Sequence, residues 1–393
     1  MTPSLLSRLP KPPRSTGAVH RAFGLCVAKA RTNIRDLNDY PTTWSFAPDG
    51  DYTQRDEGFF EIGNWTTSFF TGMALLAWQD GKEAWFITEV ERLEPLYRAK
   101  LGEHAADTMH DLGFLYSLYA VPLYQLTGNP RHRELGILAA EALAARFVPA
   151  GSYIRAWGRM DELDTHYAGL AIIDCMMNLP LLYWASVETG DPKFREIAIR
   201  HSDTTVQHFI REDDSVFHAY RFDLATGAAT GGDNYCGRSV DSHWARGSSW
   251  AMYGFALGYR HTGDASYLAA ALRVTRKFIS LLDDELVPLW DFRLPDGDPQ
   301  IRDSSAAAVA VCAMQELHAL GQADSAMLAV KDALLARLCS ADYLDMDPNC
   351  RGVLKLAEVG DGIGKARYAY TSWGDYYFME ALARELAMPV TWW

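Results

Sequence analysis

The feature that most constrains this chain is a turn written three times. LTGNPRHRE (126–134) recurs as ETGDPKFRE (188–196) and, more loosely, as HTGDASYLA (261–269). Each copy follows one apolar helical pattern and precedes another. Glycine suits the left-handed residue that closes a helix, and Asn or Asp then suits the N-cap of the next. Proline at the first helical position, as in GNP and GDP, sacrifices no hydrogen bond. Each copy therefore predicts a tight turn between two antiparallel helices. Weaker versions stand at QDGKEAW (79–85) and LGQADSAM (320–327).

Periodic apolar stretches fill most of the remaining chain. They predict helices at about 18–38, 67–79, 82–98, 112–127, 130–147 and 167–188, and then at about 191–211, 246–261, 264–283, 303–320, 322–339 and 373–387. The hairpins are about 60–70 residues apart, wider than the roughly 34–47 residues of open helical solenoids. The long inserts all lie between hairpins, at about 39–66, 99–111, 148–166, 212–245, 284–302 and 340–372. Inserts so placed emerge on one face of a rigid scaffold, which is where sites are built. The expected fold is all-α, a single (α/α)6 toroid over residues 18–393 with an N-terminal extension at 1–17.

Composition narrows the function classes. At 393 residues and 49% hydrophobic, the chain has ample material for a core and is not a disordered or disulfide-framework protein. Lys plus Arg is 37 and Asp plus Glu is 50, a net charge of −13. With no basic stripe, nucleic acid is excluded as the expected partner. No stretch approaches the roughly 18 apolar residues of a membrane span, and the N-terminus lacks a signal-peptide core. The six cysteines are scattered without metal-ligand spacing, which points to a reducing, cytoplasmic setting. No cofactor or metal is implied.

Two aspartates stand where a carboxylate is costly. Asp174 lies inside THYAGLAIIDCMMNLPLLYWA, read as an apolar helix, with Asn178 four residues on and on the same face. Asp111, beside His110 in DTMHDLGFLYSLY, opens another apolar helix and reads equally as an ordinary N-cap. Two acidic groups in different environments are the usual equipment of glycoside chemistry. In SHWARGSSWAMYGFALGY (242–259), Arg246 and Trp250 share one helix face, suited to gripping a carboxylate and stacking on a sugar. His218 offers a group that donates to a uronate, and Trp65, Trp157 and Trp244 stand at loop–helix junctions.

At these residues the sequence resembles the unsaturated glucuronyl hydrolase family. The carrying segments are NWTTSFFTG (64–72), MHDLGF (109–114), IIDCMMNLPLLYWA (172–185), HWARGSSWAMYGF (243–255) and SWGDYYFMEAL (372–382), in family order over about residues 20–388. The resemblance implies a toroid that hydrates the C4=C5 bond of the unsaturated uronic acid left on oligosaccharides by polysaccharide lyases. It makes Asp174 the principal acid/base and Asp111 its partner. It assigns His218, Arg246, Trp65, Trp250 and Trp157 to the uronate site, with Ser372 in the matching C-terminal segment. Where many members carry Gln followed by Gly, this chain has Cys236–Gly237; a thiol cannot replace an amide, and Arg238 is the nearby candidate to compensate. The segment KARYAYT (365–371) also departs from the serine-rich family pattern, leaving Lys365 and Arg367 for an anionic aglycone. Three competing readings remain: an unsaturated rhamnogalacturonyl hydrolase acting on pectin fragments, an epimerase-like toroid built on His218 and His243, and a glycan-binding toroid without catalysis.

Overall fold

A computed structural model describes residues 16–39, 46–50, 52, 65–163, 165–360 and 367–393. The N-terminal extension up to residue 15, Asn64 and Lys365 lie outside the described residues. The chain alternates outer and inner helices. Outer α1 (Thr16–Asp39) leads to inner α2 (Thr67–Gly81), and outer α3 (Ala84–Glu91) and α4 (Glu94–Leu101) lead to inner α5 (Leu112–Ser117) and α6 (Ala120–Thr127). Outer α7 (Pro130–Ala144) precedes an inner 3-10 turn (Ile173–Met177) continued by α8 (Leu179–Thr189). Outer α9 (Pro192–Phe209), inner α10 (Ala245–Thr262), outer α11 (Ala265–Ser280), inner α12 (Ser304–Ala319), outer α13 (Ser325–Leu338) and inner α14 (Ser372–Glu385) complete the set.

The inner wall closes on itself. α2 packs on α5, α5 on α8, the 3-10 turn on α10, α10 on α12, α12 on α14, and α14 back on α2. This is an (α/α)6 toroid. Its inner helices are apolar nearly all round: every residue of Ala245–Gly258, Ser304–Leu317 and Ser372–Ala383 is buried, as a helix covered on all sides requires.

The repeated turns form as the sequence predicts. Gly128, Gly190 and Gly263 take φ values of 67°, 72° and 74°, and the side chains of Asn129, Asp191 and Asp264 accept the N–H groups of Arg131, Lys193 and Ser266. At QDGKEAW the left-handed residue is Lys82 rather than Gly81. All these turns run from an inner helix to an outer one, so they share one face. The long inserts return from outer to inner and share the other. Consequently every inner helix starts at the insert face, where its partial positive end favours anions.

Three predicted helices are broken, each by a proline. A proline ring clashes with the carbonyl four residues earlier. Pro95 therefore ends α3 at Glu91, Pro122 separates α5 from α6 at Leu118–Tyr119, and Pro180 leaves a 3-10 turn ahead of α8. The span 167–188 read as one helix is instead strand β4 (Leu170–Ile172), the 3-10 turn and α8. The inserts also hold short strands: β1 (Phe46–Ala47) pairs antiparallel with β7 (Tyr370–Thr371), β2 (Phe147–Val148) with β3 (Tyr153–Ile154), and β4 with β5 (Ala219–Phe222), which pairs with β6 (Ala229–Asp233). The rim is thus a hydrogen-bonded platform.

Candidate active site

Of the sequence-predicted residues, Asp111, Asp174, Trp244, Arg246 and Ser372 stand at the starts of inner helices, and Trp373, which the sequence did not single out, follows Ser372. Asp111 precedes α5, Asp174 lies in the 3-10 turn, Trp244 precedes α10 with Arg246 in its first turn, and Ser372 and Trp373 begin α14. Asp174 does not sit mid-helix; it directly follows β4, whose pairing with β5 through Ile172 and Ala219 brings His218 alongside. The backbone of the two segments is tied where the Ile173 N–H donates to the His218 carbonyl at 3.0 Å.

Asp111 settles its two readings. It occupies an N-cap position, yet its side chain makes no capping hydrogen bond. Asn129, Asp191, Asp264, Asp303 and Asp324, in the same position on other helices, all cap. The Asp111 carboxyl is therefore held for something else. It is buried, with His110 Nε2 at 3.3 Å from Oδ2. Burial first, and then the Asp174 carboxylate, push its pKa well up, against a hydrogen bond from Asn178 and the field of Arg146. Asn178 also accepts the Phe114 N–H at 2.7 Å and donates to the Asp174 carbonyl at 3.2 Å. Gly113 permits this: any Cβ there would run into the Asn178 backbone.

Asp174 is the more open of the two, its side chain 15% exposed against 5% for Asp111. Its Oδ2 has no hydrogen-bond partner among the described residues. Burial raises its pKa to about 7, resisted by the Arg246 guanidinium, by a backbone N–H and by the Trp250 indole N–H. Burial thus raises both carboxyls and favours their protonated forms.

His218 faces Asp174 with a fixed tautomer. Its Nδ1 accepts the backbone N–H groups of Tyr235 at 3.0 Å and Cys236 at 3.1 Å, so its proton resides on Nε2, 3.8 Å from Asp174 Oδ2. Burial drives its pKa down to about 3, so the ring is a neutral donor.

The remaining residues sort by exposure. Trp250 is fully buried and is no sugar platform; its indole N–H has no hydrogen-bond partner among the described residues but lies near enough to favour the Asp174 carboxylate. Trp65 and Trp157 are partly exposed, the first stacked on Trp373 at 5.0 Å and the second edge-on to Tyr235 at 4.8 Å. Arg246 is buried and turned inward. Its Nη1 donates to Asp303 and the Glu358 carbonyl, both at 2.7 Å, and its Nη2 to the Val359 carbonyl. It presents no free fork to a ligand. Cys236 is a neutral thiol, its pKa pushed up by burial to about 12. Arg238 turns outward to Asp298 at 2.6 Å rather than toward Cys236. Ser372 is buried with its hydroxyl unpartnered. His243 turns to Ser248 Oγ at 2.6 Å and stands against Phe292. No group of three or more His, Cys, Asp or Glu able to hold a metal occurs among the described residues.

Sequence reasoning did not place Arg146, Trp373 or Asp303 in this assembly. Arg146 is a buried cation behind Asp111 that donates to the carbonyls of Thr108, Arg155, Ala156 and Gly158. An arginine closing an apolar helix, in LAARFV, was its only signal.

The pattern of Glycosyl Hydrolase Family 88 matches residues 43–381. The chain belongs to that family. It is 33% identical over 325 residues to the unsaturated glucuronyl hydrolase of Bacillus sp. (strain GL1), covering 82% of this chain and 86% of that protein. It is 35% identical over 354 residues to the unsaturated chondroitin disaccharide hydrolase of Streptococcus pneumoniae (strain ATCC BAA-255 / R6), covering 88% and 86%. The crystal structure of an unsaturated glucuronyl hydrolase from Streptococcus agalactiae superposes with a TM-score of 0.89 at 28% identity, covering 99% of this chain and 97% of that one. The family 88 member described here is a glycoside hydrolase.

Proposed function

We propose that this glycoside hydrolase removes the 4,5-unsaturated uronic acid from the non-reducing end of lyase-generated oligosaccharides, glycosaminoglycan fragments foremost. The observation that carries the reading is Asp174: a carboxyl at the start of an inner helix, raised to about 7, with one oxygen left without a partner among the described residues. Such a group holds a proton to give and a base to follow. Its proton goes to C4 of the C4=C5 bond. The resulting carboxylate takes a proton from a water whose oxygen adds at C5. The C5 hemiketal then opens to a ketone, and the hemiacetal left at C1 collapses to an aldehyde and releases the next sugar as an alcohol.

Asp111 binds substrate hydroxyls and helps set the protonation state of Asp174, with Asn178 bracing it. His218 donates from Nε2, and Trp65 and Trp157 flank the sugars. Cys236 lines the uronate side. The helix ends and the Arg246 field offset the substrate's charge in a chain of net charge −13. The relatives named for glucuronyl and chondroitin substrates support this substrate class. We place the protein in the cytoplasm on its six unpaired cysteines; no helix among the described residues is long and apolar enough to cross a membrane.

The test is the ultraviolet absorbance of unsaturated disaccharides from chondroitin, hyaluronan, heparin and gellan, incubated with wild type and Asp174→Asn. Loss of the conjugated double bond with wild type alone is expected. Consumption of pectin-derived fragments in place of all of these would overturn the substrate class.

A further inference from the structure

We propose that Asp303 is a positioning residue for the acid/base Asp174, acting through Arg246. The proposal rests on the role given to Asp174 above. Asp303 is fully buried at the start of α12, and its two oxygens are divided between two tasks. Oδ1 caps the helix, accepting the Ser305 N–H at 3.0 Å and its hydroxyl at 2.6 Å. Oδ2 takes Nη1 of Arg246 at 2.7 Å. The carbonyls of Glu358 and Val359 hold the guanidinium from another side.

So fixed, the guanidinium carbon lies over two indoles, 4.6 Å from the Trp244 ring centre and 5.2 Å from that of Trp373. Trp244 in turn meets the His218 ring at 4.6 Å, and Trp373 meets Trp65 at 5.0 Å. One helical turn beyond Arg246, the Trp250 indole lies near enough to Asp174 to favour its carboxylate. Asp303 thus secures the cation against which both walls of the site are stacked. It also sets how much positive field reaches Asp174, because it neutralises part of the Arg246 charge at close range. The charged and titratable groups facing Arg246 are Asp303 on α12, Glu358 on the neighbouring insert, Asp174 on the 3-10 turn, and His218 and Cys236 on the β5–β6 side. Those facing Asp174 are Asp111, His218, Arg246, Cys175 and Cys236.

Asp303→Asn keeps a capping side chain but removes the negative charge, so the unmasked guanidinium favours the Asp174 carboxylate. The Asp174 titration moves to lower pH by about half a unit or more. The double variant Arg246→Gln/Asp303→Asn leaves no unpaired buried charge and removes the cation, so the titration moves above the wild-type value. The readout is the carboxyl carbon signal of 13C-aspartate-labelled protein, assigned with Asp174→Asn, and in parallel the alkaline limb of kcat/KM on an unsaturated disaccharide. Opposite shifts in the two variants are expected. Wild-type titrations in both would overturn the proposal and leave Asp303 a helix cap. If Asp303→Asn does not fold, Arg246→Gln is compared with the double variant: the unpaired Asp303 carboxylate should hold the Asp174 titration higher in the single variant, and equal titrations would overturn the proposal. The carboxyl titration needs no turnover, so failure of the proposed reaction and failure of this inference are read separately.

Discussion

Two sets of buried carboxylates share this barrel, and they are treated in opposite ways. Toward the turn face, Glu380 accepts the Tyr253 hydroxyl and Arg384 Nε at Oε1 and the Trp393 indole at Oε2, while Glu316 receives Arg260 at 3.1 Å and Arg384 at 3.0 Å. Every carboxylate oxygen there has a donor. At the insert face Asp174 Oδ2 has none among the described residues, and Asp111, placed to cap a helix, does not cap it. A satisfied ion network fixes structure, whereas an orphaned carboxyl is kept ready for a proton and a ligand. Asp375, on the same helix as Glu380, shows that position alone is not the cause. It lies at the insert face but accepts Tyr52 at 2.6 Å and the N–H groups of Val353 and Leu354 at 2.9 and 2.8 Å, and so anchors an insert.

The comparison breaks first if activity and stability fail to separate. Asp174→Asn lowers kcat by about a thousandfold with the fold intact, measured by double-bond loss and by thermal melting. Glu380→Gln does the reverse: leaving Arg384 incompletely paired costs about 3–5 kcal/mol of stability, read from denaturant melts, while the folded fraction keeps its kcat. Equal activity losses in the two variants would erase the distinction.

A pH series sharpens it. The folded-state pKa of Asp174, about 7, lies above its ordinary value of 3.8. The native state therefore binds more protons than the unfolded state between these values. Stability from this group is complete below about pH 4 and is lost as pH rises through 7. Asp174→Asn, which cannot ionise, is expected to be more stable than wild type at pH 8, by up to about 4 kcal/mol, with the gap narrowing toward pH 5. Turnover follows the same group, with kcat/KM falling above pH 7 as the acid is lost. A smaller effect is expected at His218. Replacing it with Ala removes one fixed donor and lowers kcat/KM by about a hundredfold. Smallest are the turn caps: Asp191→Ala and Asp264→Ala each cost about 1 kcal/mol and leave kcat unchanged.

Much of this was legible in the sequence, for reasons that can be named. The TGN and TGD turns encode their own geometry in glycine and a capping side chain, so the toroid and its two faces could be read locally. The acidic pair was legible because a carboxylate among apolar residues is costly wherever the chain puts it. What failed was non-local. The helix read over 167–188 is cut by Pro180 and by the pairing of β4 with β5, a partner some 50 residues away. Arg246 and Trp250 were rightly placed on one face, but the burial that turns the first toward Asp303 and hides the second depends on α12 and α14. Asp111 reads equally as a cap or a site carboxyl by local rules, and only the structure shows the cap unmade.

The most direct test of the account is where solvent atoms enter the product. An unsaturated disaccharide turned over in D2O enriched in 18O, and quenched early for NMR and mass spectrometry, should carry one deuterium at C4 and the heavy oxygen at C5. Heavy oxygen at C1, with the C4=C5 bond surviving in the released uronate, would mean direct cleavage of the glycosidic bond and would contradict the role given to Asp174.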